Sequence, residues 1–286
     1  MQSFLPFAAI LLGILFPSAH VYSFLIQYLL MSVLFFAFLT AKIDKFYFQT
    51  IWVAIANLSI AFSAYFLLST FNSELAFVSF ITAISPTAIS APAIISFLKG
   101  NVDYVISVIL TNSIVATILP FIIPFIHPGH LISTQKLFFS ILFLFFTPLV
   151  LSRLLKIISF DLFCYLIKIK KIGFYTWILI LFIASAKATH FILEESNASL
   201  GMITAIAIIS LIICAVNFQV GRFIGGKEFA QEASQSLGQK NTMFTVWLSL
   251  SLLNPIVALG PMFYILYHNL YNSYQLIQIK NKKPNA

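Results

Sequence analysis

Two short stretches, Ile84–Ala93 (ISPTAISAPA) and Ser234–Asn241 (SQSLGQKN), set helix breakers and polar groups inside apolar segments long enough to be membrane spans. An interrupted backbone is tolerated in lipid only where protein or a watery cavity satisfies its freed N–H and C=O groups. The two stretches fall in matching places, the fourth apolar segment of each half of the chain. A matched pair of interrupted spans is the sequence pointer to the binding site of a membrane carrier.

The rest of the chain must then be membrane, and it reads so. Of 286 residues, 60% are hydrophobic and 8% charged, with a mean hydropathy of +1.00. No soluble core takes up so much apolar surface. The net charge of +8 does not point to nucleic acid, because the basic residues are dispersed over loops, as membrane topology requires. Cys164 and Cys214 lie far apart in apolar context and have neither metal nor redox spacing. The first apolar run ends at Pro17 without a basic n-region or a small-residue cleavage site, so it is expected to stay as the first span.

A span takes about 20 mainly apolar residues. Ten segments are expected: 4–17, 20–40, 48–69, 75–98, 104–127, 136–158, 173–193, 199–221, 229–253 and 255–278. Residues 159–172, amphipathic and basic, are expected to form an interfacial linker; before it stands 1–158, with the first five-span repeat and the start of the second, and after it 173–286. The charges test the count. With ten spans, Lys42, Lys45, Lys99, Arg153, Lys156, Lys168, Lys170, Lys171, Arg222, Lys227, Lys280, Lys282 and Lys283 share one side with both termini, and Lys136 stands alone opposite. The expectation is a multi-pass protein of the cell (inner) membrane with both termini cytoplasmic and loops 128–136 and 194–198 outside. Five spans per half make any repeat between the halves inverted.

The breaks themselves hold the candidate site. Pro86 and Pro92 each remove a backbone donor, and Ser85, Thr87 and Ser90 supply hydroxyls for the exposed carbonyls. The alternative is an ordinary proline kink packed against neighbours. In the second break Gly238 lets the chain unwind, while Gln239, Lys240 and Asn241 put a charge and two amides near mid-span. An ammonium in lipid costs several kcal/mol unless paired or hydrated. The alternative there is a polar loop over 229–240 with a shorter helix from Thr242.

Asn57 in the third segment and Asn112, Ser107 and Thr111 in the fifth are candidates for the same cavity, though helix–helix hydrogen bonding explains each equally well. Lys187 and His190 are expected to snorkel at the outer end of the seventh span, with Glu194 and Glu195 in an exposed acidic loop. His268 and Asn269 read as structural or interfacial. An enzyme is not expected: the chain carries no HExxH, no GxGxxG and no nucleophile with motif context.

At Pro86–Asn101 (PTAISAPAIISFLKGN), Gly238–Asn241 (GQKN), Asn254–Phe263 (NPIVALGPMF) and Tyr267–Leu270 (YHNL), the chain resembles the bile acid:sodium symporter family in its broad bacterial sense. The resemblance covers nearly the whole length. It implies an all-α fold of ten transmembrane helices in two inverted five-helix repeats. A panel domain would take 4–40 and 136–193, and a core domain 48–127 and 199–278, with broken helices four and nine crossing. In the family two sodium ions sit behind that crossing, and an organic anion binds between panel and core. Carried onto this chain, the ion-site positions read Ala91 and Pro92 on helix four and Ser236 and Lys240 on helix nine, with Gln239 beside them. Glu232 stands one turn earlier, and Ser107 and Thr111 match the helix-five hydroxyls only with a two-residue insertion. Sodium, which takes several oxygens and usually a carboxylate, finds few ligands here, and Lys240 would repel it.

The expected function is therefore symport or facilitated transport of a small organic anion, with proton coupling or simple exchange in place of sodium. Substrate contacts are assigned to Thr87, Ser90, Lys240, Asn241 and Asn57, helped by the positive N-terminal ends of the half-helices. Neither a cofactor nor a nucleic-acid partner is expected. A sensor or membrane subunit on the same scaffold, and a carrier of the auxin-efflux type, are the alternatives.

Overall fold

The structure is a computed structural model that describes residues 5–40, 46–88, 90–126, 134–195 and 199–281. Residues 128–133 and 196–198 of the expected outer loops lie outside the described residues, as do Lys42, Lys45, Lys282 and Lys283. Among the described residues every extended element is a helix, as apolar segments without water to bond their backbones require. Among the described residues, six helical stretches are long and apolar enough to cross a bilayer: Pro17–Leu39, Phe48–Ser69, Val102–Ile126, Phe138–Ile158, Ile172–Glu194 and Leu200–Gly225. The chain is an all-α, multi-pass membrane protein. The first segment forms an 11-residue helix, α1 (Leu5–Leu15). At about 1.5 Å per residue it is too short to cross alone. The two interrupted segments divide into four short helices, which build the site below.

The chain separates into two compact units. The first gathers Met1–Lys42, Ala116–Asn197 and Val246–Ala258. Here α2 (Ile26–Thr40) packs on α7 (Thr134–Ile158) and α9 (Ile172–His190), and α1 packs on α9. The α1–α9 approach depends on Gly13, where a Cβ would stand 2.6 Å from Ser185 Cβ and strike the Phe182 carbonyl. Small residues at such points let helix backbones close on one another in lipid. His190 stacks its ring on His20 with centroids 3.6 Å apart. α9 runs on into a π-helical turn, Phe191–Glu195, so Glu194 and Glu195 extend the helix rather than sit in a loop. The wider i→i+5 turn keeps their amides hydrogen-bonded where an open loop would release them. Residues 159–172 contain α8 (Phe160–Lys168), capped by the Ser159 hydroxyl; none of its residues is buried.

The second unit gathers Ile43–Val115, Ala198–Thr245 and Leu259–Ala286. α3 (Ile51–Ser69) and α4 (Ser73–Ile84) form a hairpin, and Asn72 Oδ1 caps α4 by accepting from the Leu75 amide at 2.8 Å. α10 (Leu200–Gly225) lies against α4 and α11 (Ala230–Gly238), and α11 also meets α5 (Ala91–Phe97). α6 (Val102–Ile126) begins in this unit, α12 (Thr242–Leu252) begins in it, and α13 (Pro255–Asn281) ends in it. Val53, Ala56, Tyr104, Val108, Ala233 and Leu237 form its apolar core, with the Tyr104 ring stacked on Phe229 at 4.5 Å.

Candidate functional site

α4 stops at Ile84 because Pro86 has no N–H to donate and pushes Ser85 into extended geometry (φ −44°, ψ 131°). Helix resumes at Ala91 with Pro92 in its first turn, where proline is tolerated. α11 stops at Gly238, Gln239 is extended (φ −91°, ψ 98°), and α12 starts at Thr242. The two gaps lie across one another. Ala88 N donates to Gln239 O at 2.8 Å and Asn241 N to Pro86 O at 2.7 Å, making an isolated antiparallel bridge between Thr87 and Lys240. Each break therefore supplies the backbone partners that the other has lost.

Side chains satisfy the remaining carbonyls. Asn57 Nδ2 donates to Ile84 O at 3.1 Å, with Ser85 O at 3.5 Å. Thr87 Oγ1 donates to Ser236 O at 2.7 Å and accepts from Asn112 Nδ2 at 2.8 Å. Tyr264 Oη donates to Gly238 O at 2.7 Å and accepts from Asn217 Nδ2 at 3.1 Å. Gln239 Nε2 donates to Ser90 Oγ at 3.0 Å, and Asn241 Oδ1 caps α12 at the Phe244 amide. Gly238 is required here: a Cβ would stand 2.5 Å from Phe218 Cε1, in the face of that ring.

Lys240, only 1% exposed, donates its ammonium to Asn57 Oδ1. Asn57 is held for this role because its Nδ2 is committed to the α4 carbonyls, which turns its oxygen to the lysine. Among the described residues no carboxylate pairs with Lys240. Such a charge is tolerated in a membrane where it is hydrogen-bonded and has work to do.

The structure thus brings Asn57, Thr87, Ser90, Ser236, Gln239, Lys240 and Asn241 to one crossing. The other expected site residues are engaged elsewhere. Glu232 Oε1 accepts from Asn101 N at 2.7 Å, clamping the turn in which Lys99 takes a φ of 60°. Asn101 in turn caps α6 at Tyr104 N and donates to Tyr47 Oη at 2.8 Å. Ser107 Oγ donates to Asp103 O and accepts from Tyr47 N, while Thr111 and Thr50 share a 3.1 Å hydroxyl contact. The carboxylate and the two hydroxyls assigned to a cation are therefore holding loops and helix starts. Among the described residues no group of three acidic, histidine or cysteine side chains could hold a metal.

Sequence reading missed Asn217 and Tyr264, which support the second break. Asn217 left a signal, an amide deep inside an apolar span; a tyrosine in a tyrosine-rich last helix left none. No family model matches this chain, and no curated protein does.

Proposed function

We propose that the protein is a secondary or facilitative carrier of a small organic anion, built like the bile acid:sodium symporters with ten spans in two inverted repeats and both termini cytoplasmic. The observation that carries this reading is the Thr87–Lys240 bridge, where two interrupted helices meet and a buried ammonium rests on Asn57. In such carriers a cation beside the crossing supplies positive charge. Here the protonated lysine supplies it, and a sodium ion about 5 Å away would be repelled by about 3 kcal/mol at an effective dielectric of about 20. Glu232, the nearest carboxylate in the sequence, is committed to the Asn101 turn. The ammonium strengthens the crossing's attraction for a carboxylate, and the hydroxyl of Ser90, exposed beside Gln239, offers it a hydrogen bond.

The test is uptake of a panel of small carboxylates into proteoliposomes, with sodium and pH gradients imposed separately. Saturable uptake that ignores sodium and drops about tenfold or more in Lys240→Gln is expected, the loss of one charge-assisted interaction. Lys240→Gln should not become sodium-dependent, because Ser236 and Pro92 still lack the ligands. Sodium-dependent uptake unchanged by that substitution would sink the reading.

A further inference from the structure

The last helix carries a line of polar side chains that membrane packing alone does not call for. Tyr264, His268, Asn272 and Gln275 recur at intervals of four, four and three, so they share one face of α13. They extend over about 16 Å of helix rise. Tyr264 ends the line at the crossing, where it bonds Gly238 O. Gln275 sits at the far end, bonded by Gln235 Nε2 of α11.

Between these ends, hydrogen-bonding capacity is left over. His268 Nδ1, both amide atoms of Asn272, Gln235 Oε1 and Asn217 Oδ1 are all buried with no partner. Asn217 and Gln235 are fully buried, and His268 and Asn272 are 4% exposed. Asn272 lacks partners on both its oxygen and its nitrogen, so neither orientation of the amide would satisfy it. Each such group left dry costs about 1–3 kcal/mol, and the line holds several on three helices. Water is the ligand that meets donors and acceptors of this mixture, at two to four bonds apiece.

The imidazole makes the line more than a row of water sites. His268 stands edge-on to Tyr264, with centroids 5.6 Å apart and planes at 89°. Tyr264, on its own helix, is the titratable group in ring contact with it and in turn bonds Cys214 of α10, while Gln235 of α11 meets the line at Gln275 as an amide. An imidazole passes a proton by accepting it on one ring nitrogen and releasing another from the second; its tautomer then resets, with no net chemistry on the ring.

We propose that Asn217, Gln235, His268 and Asn272 line a hydrated proton path along α13 that ends at the helix crossing, with His268 as its relay. As the coupling route of a carrier it rests on the function proposed above; as a path it stands by itself. The experiment has two arms on purified, reconstituted protein in a Cys164→Ser background. In the first, Asn272→Cys and Leu270→Cys are exposed to a small membrane-impermeant methanethiosulfonate. Leu270 is 56% exposed on the apolar surface of the same helix. Asn272→Cys should react roughly tenfold faster or more, since only a hydrated thiol meets the reagent.

In the second arm, vesicles holding a pH-sensitive dye are given a potassium diffusion potential. The unsubstituted protein should carry protons, and both His268→Leu and His268→Gln should lose roughly nine-tenths of that flux, because neither side chain relays. The glutamine variant keeps a polar group should the leucine variant fold poorly. A thiol at 272 no faster than that at 270, a silent dye, or equal flux in His268→Gln overturns the path. Expected results in both arms without carboxylate uptake would leave the path standing and remove the carrier reading.

Discussion

The two helix breaks meet at one point, but they are made by different physics. The first has a cause in its own covalent geometry as well as in the crossing: Pro86 cannot donate and disfavours helical geometry at Ser85. The second has no proline. Gln239, Lys240 and Asn241 are residues a helix accepts, and only Gly238 weakens it locally. What holds the second break open is tertiary: Phe218 fills the space of a Gly238 side chain, Tyr264 takes its carbonyl, and Thr87 takes that of Ser236. A break with a cause in its own residues as well depends less on what surrounds it. One imposed by neighbours fails when they change.

That contrast ranks the substitutions that would break it. Gly238→Leu should be the most damaging, because the side chain must enter the Phe218 ring; loss of folded protein in detergent is expected. Gly238→Ala should cost about 1–3 kcal/mol by overpacking, read as a lowered thermal midpoint, and Phe218→Leu in the same chain should restore part of it. Full stability in Gly238→Ala alone would mean that the ring moves freely, and that the break is not held from outside.

Tyr264→Phe comes next. It leaves Gly238 O and the Asn217 amide without their shared partner, at a cost of about 2 kcal/mol. Thr87→Val should cost about 1–2 kcal/mol, since it strips Ser236 O of its donor and Asn112 of its acceptor. Thr87→Ser keeps the hydroxyl and should recover most of that loss. If Thr87→Val were silent while Tyr264→Phe was not, support for the second break would come from α10 and α13 rather than from the first break.

The same contrast explains what the sequence could tell. The first break was legible at Pro86 and Pro92, because proline acts on its own neighbours. The matching position of Gly238–Asn241 was legible too, since Gly and a lysine are out of place in an apolar span. The identity of the groups that satisfy the crossing was only half legible. Asn57 and Asn112 stood out as amides in apolar segments, but nothing local separated them from Ser107 and Thr111, whose hydroxyls turn to Asp103, Tyr47 and Thr50. Helical spacing says which residues share a face and not which neighbour that face meets. Glu232 shows the same limit: one turn from Ser236 in sequence, it bonds a turn 131 residues away.

Pro86→Ala should have the smallest effect and is the sharpest probe of the contrast. The substitution returns an N–H to position 86 and removes the steric bar on Ser85, so α4 is free to add a turn. Adding it would withdraw Ile84 O and Ser85 O from Asn57, Pro86 O from Asn241 N and the Thr87 hydroxyl from Ser236 O. Those bonds outweigh one new helical hydrogen bond of about 1 kcal/mol, so the break should persist and stability should fall by less than about 1 kcal/mol, partly through a looser unfolded chain. Cysteines at 90 and 239, where Ser90 and Gln239 now touch, report the outcome: they should cross-link as efficiently with alanine at 86 as with proline. Loss of that cross-link with stability retained would show that α4 has grown through the gap, and that the proline rather than the crossing keeps the first break open.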